Sequence, residues 1–111
     1  MPDEIKTSTG MTQNVAGLLC YLAGWITGLI FFLIEKENRF VRFHAMQSIM
    51  TFGGLTVLFI VLGNIPIIGW MVLTPVLAIL QVILWVLLMV KAYQGQMFKL
   101  PVIGDLAEKQ I

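Results

Sequence analysis

The sequence predicts an all-α membrane protein, and three observations predict it. No side chain between Lys6 and Glu35 carries a formal charge, and none does between Arg42 and Lys91. The 111 residues are 59% hydrophobic, above the ~45–50% of ordinary soluble domains. Two apolar blocks this long cannot be hidden inside so short a soluble chain, because too little polar surface remains to cover them. They fit a solvent that is itself apolar. About 20 apolar residues cross the ~30 Å hydrocarbon layer as a helix, so 14–34 is long enough to cross once and 45–90 twice. The expected fold is one membrane domain of three transmembrane helices, with an interfacial Pro/Gly segment and a short amphipathic C-terminal tail.

Residues 1–13 read as a polar N-tail. They lack the basic start of a secretory signal and no Ala-x-Ala site follows the apolar stretch, so no cleavage is expected. Leu18-Leu19-Cys20 lacks the small residue that a lipoprotein signal sets before its cysteine. The first crossing is expected over 14–34, with Thr12 or Asn14 as N-cap. Residues 35–44 form a basic loop and the start of helix two. Asn38 can cap that helix, and its arginines mix with aromatics as in a helix entering at headgroup level. The second crossing takes 45–62 and ends at Gly63-Asn64-Ile65-Pro66. An outer apolar link, 63–74, leads to the third crossing over 75–91.

Thr74-Pro75 suits an N-cap followed by proline at the first helical position. On that reading residues 65–73 lie apart in the outer interface. The alternative is one longer helix from about Ile67, kinked at Pro75. The tail, 92–111, sets Tyr93 and Phe98 at the interface and ends in an amphipathic run from Gly104. Ile65-Pro66-Ile67-Ile68-Gly69 is echoed by Leu100-Pro101-Val102-Ile103-Gly104, which reads as one surface turn used twice.

Basic residues set the orientation. With three crossings, the N-tail and the outer link share a face that carries only Lys6. The other face carries Lys36, Arg39, Arg42, Lys91, Lys99 and Lys109, six of the 7 basic residues. The positive-inside rule then gives a multi-pass cell-membrane protein with its N-terminus outside and its C-terminus in the cytoplasm.

Four groups of residues are candidates for function. Ala16, Cys20, Gly24 and Gly28 recur every four residues and form a stripe of small side chains, suited to close helix contact within the chain or along a homo-oligomer seam. Phe40, His44, Gln47 and Thr51 share one face of helix two; with Phe43 they form a docking or register element, or line a cytoplasmic vestibule. A polar stripe of this kind does not face lipid. Gln81 is the one strongly polar side chain deep in the third crossing, at the depth of Gly24 and Gly53-Gly54, and an interhelical hydrogen bond is expected there. Lys36, Arg39 and Arg42 are suited to anionic lipid headgroups.

The chain shows no paired carboxylates, no Ser/His/acid set, no phosphate loop and no Cys/His cluster. No enzyme activity, metal or cofactor is expected, and the balanced net charge of +1 gives no sign of nucleic acid. Membrane lipids, a second copy of the chain, or another membrane protein are the expected partners.

The run Ile34-Glu35-Lys36-Glu37-Asn38-Arg39-Phe40-Val41-Arg42-Phe43-His44-Ala45-Met46-Gln47-Ser48 resembles a widespread group of small prokaryotic membrane proteins of unknown function. Leu18-Leu19-Cys20-Tyr21-Leu22, Val90-Lys91-Ala92-Tyr93-Gln94-Gly95, Lys99-Leu100-Pro101 and Ile103-Gly104 extend the resemblance over nearly the whole chain. The group is distantly similar to the membrane-embedded Tic import component of the chloroplast inner envelope, which has four crossings. It also includes magnetosome membrane proteins; this chain has no acidic stretch that could face a mineral. The resemblance implies a small helical membrane module, with His44 and Gln47 in its motif. An assembly or scaffold role is the first expectation, and a Tic-like oligomeric pore or translocation component the second.

Overall fold

The computed structural model describes residues 10–110; Lys6 and the rest of 1–9, with Ile111, lie outside the described residues. Among the described residues five α-helices follow one another: α1 Gln13–Leu22, α2 Trp25–Ile34, α3 Arg39–Gly63, α4 Thr74–Tyr93 and α5 Ile103–Lys109. A π-helical turn, Gly69–Leu73, runs directly into α4. The all-α expectation holds. The helix count within the membrane does not.

The first apolar block is broken at its centre. Gly24 sits at φ 65° and ψ −139°, a conformation open to glycine and costly for any residue with a Cβ. Thr27 reinforces the break, because its hydroxyl reaches the Cys20 and Gly24 carbonyls at 3.3 Å and accepts the Ala23 N–H at 3.1 Å. Each half is 10 residues, or about 15 Å of helix, half of what a crossing requires.

The halves do not continue in one direction. Gln13 accepts a hydrogen bond from Asn38 at 3.1 Å, and Asn14 donates to the Tyr93 carbonyl at 2.7 Å. The start of α1 therefore lies beside the start of α3 and the end of α4. At the break, Ser48 donates to the Gly24 carbonyl at 2.9 Å. At the end of α2, the Arg42 guanidinium holds the Phe32 and Glu35 carbonyls at 3.1 and 2.8 Å. So α1 rises from the end bearing Lys36, Arg39, Arg42 and Lys91, turns at Ala23-Gly24 level with the middle of α3, and α2 descends to the same end. The block is a helical hairpin, and this corrects the expected single crossing at 14–34. Among the described residues two helices are long and apolar enough to span: Arg39–Gly63 and Gly69–Tyr93, each 25 residues.

The third apolar segment also differs. No separate interfacial piece precedes α4, whose first residue, Thr74, is already helical rather than a cap, with φ −63° and ψ −47°. Pro75 has no N–H to offer and its ring crowds the carbonyl four residues back. The chain relieves this by widening one turn, in which the Thr74 N–H bonds the Gly69 carbonyl five residues back, a π-bulge. The longer interrupted helix is the arrangement adopted.

Packing follows from the hairpin's depth. The core unites Ala16, Cys20 and Tyr21 of α1, Phe31 of α2, Phe40 to Leu55 of α3, Leu88 and Ala92 of α4, and Leu100 of the tail. Buried hydrophobic side chains stop at Leu55 on α3 and resume at Leu88 on α4. Beyond the hairpin tip, α3 and α4 stand as two helices with Val57, Ile60, Val61, Trp70, Met71 and Ile79 exposed. The molecule is long and narrow, 49 × 22 × 21 Å, with its packed half at the basic end.

The echoed pentapeptides adopt one conformation. Ile67 and Val102 have φ 64° and 66°, and each is spanned by a bond between the residues that flank it: Ile68 N–H to Pro66 at 2.8 Å, Ile103 N–H to Pro101 at 2.7 Å. These are γ-turns. In each, the following glycine closes onto a neighbour that a Cβ would strike, Leu62 backbone at Gly69 and Lys99 at Gly104.

Candidate functional site

The polar face of α3 meets the rest of the molecule at the basic end. Asn38 caps the helix, its side-chain oxygen accepting the Val41 N–H at 3.1 Å. One and two turns on, His44 and Gln47 are fully buried, and Thr51 is 4% exposed. Tyr21 comes down from the hairpin to meet them. Its hydroxyl lies 2.6 Å from His44 Nδ1 and 3.0 Å from Gln47 Nε2.

The tail closes the site from the other side. After Tyr93 the chain turns through Gly95, at φ 79°, and crosses the helix ends in extended form to Leu100. His44 Nε2 lies 2.8 Å from the Gln96 carbonyl. Gln47 Nε2 donates to the Phe98 carbonyl at 2.9 Å, and Gln47 Oε1 accepts the Leu100 N–H at 2.9 Å.

Donor and acceptor roles follow from chemistry. A carbonyl can only accept, so His44 Nε2 carries the proton facing Gln96. In the neutral ring Nδ1 is then the acceptor and the Tyr21 O–H donates to it. The phenol oxygen is left to accept one Gln47 N–H, while the second N–H serves Phe98. Every strong donor and acceptor on Tyr21, His44 and Gln47 is matched. Phe40, Phe43 and Tyr21 pack edge-on around the imidazole, with ring centroids 4.6–5.4 Å away.

The sequence-predicted residues fall as follows. Phe43, His44 and Gln47 belong to this buried network and face no open vestibule. Thr51 Oγ1 is buried with no hydrogen-bond partner among the described residues. Cys20 and Gly28 face the chain's own α3, and Ala16 is fully buried. Cys20 Sγ lies 3.6 Å from the Val41 carbonyl. A Cβ on Gly28 would come within 2.9 Å of the Ala45 carbonyl and the Ser48 side chain. Gly24 leaves the stripe because it is the hairpin break.

Lys36 and Arg39 are exposed. Arg42 is half-buried, tied to α2 and stacked 4.2 Å over the Phe32 ring; its first task is holding the hairpin's return. Gln81 corrects its expectation: its depth beside Gly24 is right, yet its amide bonds no group among the described residues. It lines a cavity of about 290 Å³ at the hairpin tip.

Tyr21 was missed by sequence reasoning. Its signal was present: a phenol inside an apolar helix requires a polar partner, and His44 and Gln47 lie about as far from the basic end. The partner carbonyls in the tail had no signal, because the tail's route across the helix ends is a tertiary matter.

Comparison with known proteins fits this small helical membrane molecule. A UPF0132 membrane protein of Methanocaldococcus jannaschii is 56% identical over 104 residues, covering 94% of this chain and 93% of its own length. A UPF0132 membrane protein of Archaeoglobus fulgidus is 54% identical over 101 residues, covering 91% and 97%. A second from M. jannaschii is 51% identical over 100 residues, covering 90% and 71%. No solved structure matches the chain. Residues 6–107 match the magnetosome magnetite crystal formation protein family, and on this match and these relatives the chain belongs to that family of small membrane proteins.

Proposed function

We propose that the protein is a non-enzymatic membrane assembly module, with both termini on the cytoplasmic side. Two crossings, α3 and Gly69–Tyr93, carry it through the bilayer, and the α1–α2 hairpin dips in from the cytoplasm and returns. The orientation rests on charge. Lys36, Arg39, Arg42, Lys91 and Lys99 all flank the end where the hairpin starts and the tail lies, which is the cytoplasmic end by the positive-inside rule. Lys36 and Arg39 meet anionic headgroups there, at about 1 kcal/mol for each charge near the surface.

One observation carries the assembly reading. The polar groups of Tyr21, His44 and Gln47 are spent within the chain, while among the described residues the outer halves of α3 and α4 have no third helix against them. Gly69–Tyr93 is 6% buried over its most apolar window. Small lateral partners, a second copy first among them, fit two bare helices of this length. Among the described residues no three His, Cys, Asp or Glu side chains gather as metal ligands, and mineral chemistry forms no part of this reading.

The Tic-like pore is the competing proposal. It needs His44 and Gln47 to line water, whereas both bond the tail. Native mass spectrometry in lipid nanodiscs tests the first reading: two or more copies per particle are expected, and a monomer in native lipid removes self-assembly. Gln47→Cys in a Cys20→Ala background separates the second. Protection from water-soluble maleimide is expected, and rapid labelling in intact membranes favours the pore.

A further inference from the structure

The cavity at the hairpin tip is the feature the assembly reading does not use. It is lined by Leu22, Ala23, Gly24, Trp25, Phe52, Thr56, Gln81, Val82 and Trp85, and it lies midway along both spanning helices. Irregular backbone at this depth is tolerated only where protein buries it or a cavity hydrates it. Here the Tyr21, Leu22 and Gly24 carbonyls are already served. Trp85 Nε1 donates to Tyr21 at 2.7 Å and to Leu22 at 3.2 Å, and Ser48 serves Gly24. The Thr56 hydroxyl is spent on the Phe52 carbonyl at 2.8 Å.

Gln81 is the exception. Leu77, Leu84, Trp85 and Met89 pack against the core, and Gln81 lies on their inward stripe of α4. Its side chain is part of the cavity lining. It has no hydrogen-bond partner among the described residues, although a bare amide in hydrocarbon is costly.

We infer that this cavity is a binding site for an uncharged, membrane-dissolved ring carrying carbonyl oxygen, of the quinone type. Three properties define the guest. The walls hold no charged side chain, so an ion has no counter-charge. Leu22, Trp25 and Val82 at the rim are exposed on the flank of the molecule, so entry is from lipid and the guest must dissolve there. Trp25, Trp85 and Phe52 give aromatic walls for a flat ring, and the Gln81 amide N–H donates to its oxygen. The volume of about 290 Å³ is at the lower limit of small-molecule sites, roughly 300–1,000 Å³, and is enough for a small ring head.

The test uses the full chain in nanodiscs with Trp70→Phe, which removes the one tryptophan far from the cavity and leaves Trp25 and Trp85 as reporters. A short-chain alkyl benzoquinone is titrated while tryptophan fluorescence is followed, with an alkylbenzene of equal chain length as the oxygen-free comparison. Saturable quenching by the quinone alone is expected, and Gln81→Leu should raise the half-saturation concentration at least tenfold. Quenching that rises linearly in both proteins, as for a quinone merely dissolved in lipid, overturns the site. So does saturation that Gln81→Leu leaves unchanged. Should Gln81→Leu lose its helical circular dichroism, Val82→Phe decides, since it fills the rim and spares the amide. Saturable binding that survives it also overturns the proposal.

Discussion

Gln47 joins three segments through one amide: the hairpin at Tyr21 and the tail at Phe98 and Leu100. Gln47→Leu keeps the volume and strands the Phe98 carbonyl and the Leu100 N–H. A stranded buried group costs about 1–3 kcal/mol, so a loss of about 2–4 kcal/mol is expected, with amide exchange across 96–100 accelerating well before that of α3. Equal acceleration everywhere would deny the network its local role. Charge acts more gently at Lys99, whose ammonium lies 2.8 Å from Glu108 and 3.9 Å from Asp105. The hydrogen bond to Lys99 holds the Glu108 carboxyl below its ordinary value, and the same bond raises Lys99 above its own. Glu108 therefore contributes above the ordinary carboxylate pKa of ~4.3, and that share is lost as pH falls through its depressed value. Lys99 contributes below its ordinary ~10.4, and that share is lost as pH rises through its raised value. Protection of the α5 amides should be flat through neutrality and fall at both extremes, by little because both groups are solvated. Glu108→Gln should abolish the acid fall and weaken the alkaline one, which Asp105 still supports.

At the scale of elements, the two γ-turns set the starts of two helices. Each puts a β-branched residue at positive φ, and each such side chain projects outward, Ile67 at 72% exposure and Val102 at 70%. Little packing is lost on removing them, while backbone strain of about 1–3 kcal/mol is relieved, less the ~0.5–1 kcal/mol of chain entropy that glycine costs. Ile67→Gly and Val102→Gly should each stabilise by about 1 kcal/mol, read as a higher unfolding midpoint in detergent. A lower midpoint in both would show that the turns are held by their side chains. The hairpin is the opposite case. Gly24 needs its positive φ and Gly28 needs its missing Cβ, so α2 lies close against α3 only because both positions are bare.

For the whole molecule the proposed re-entrant placement of the hairpin makes a topological prediction. In a Cys20→Ala background, Gly10→Cys, Lys36→Cys and Glu108→Cys should react with an impermeant maleimide from one side of sealed vesicles, and Asn64→Cys from the other. Labelling of Gly10→Cys from the Asn64 side would restore a first helix that crosses. The same fold explains where polarity sits. The hairpin packs only against the basic half of α3 and α4, so the buried polar residues gather there, and the other half is left to two helices.

Membrane residence, the helix that starts at Arg39 under an Asn38 cap, the break after Gly63 and the pairing of the two Pro-containing turns were all legible in the sequence. Each is fixed by local chemistry: the long charge-free runs, one capping side chain, one repeated pentapeptide. The motif residues His44 and Gln47 were legible too, since polar groups in an apolar helix must find partners. What they bond was not, because the Gln96 and Phe98 carbonyls are generic backbone that only the folded tail brings within 3 Å. The direction of the first apolar block was likewise undecided. Twenty-one apolar residues satisfy a crossing and a half-depth hairpin equally well by composition. Only the tertiary structure chose the hairpin, where Ser48 of α3 and Trp85 of α4 give donors to the Gly24, Tyr21 and Leu22 carbonyls and Gly28 allows the close approach of α2 to α3.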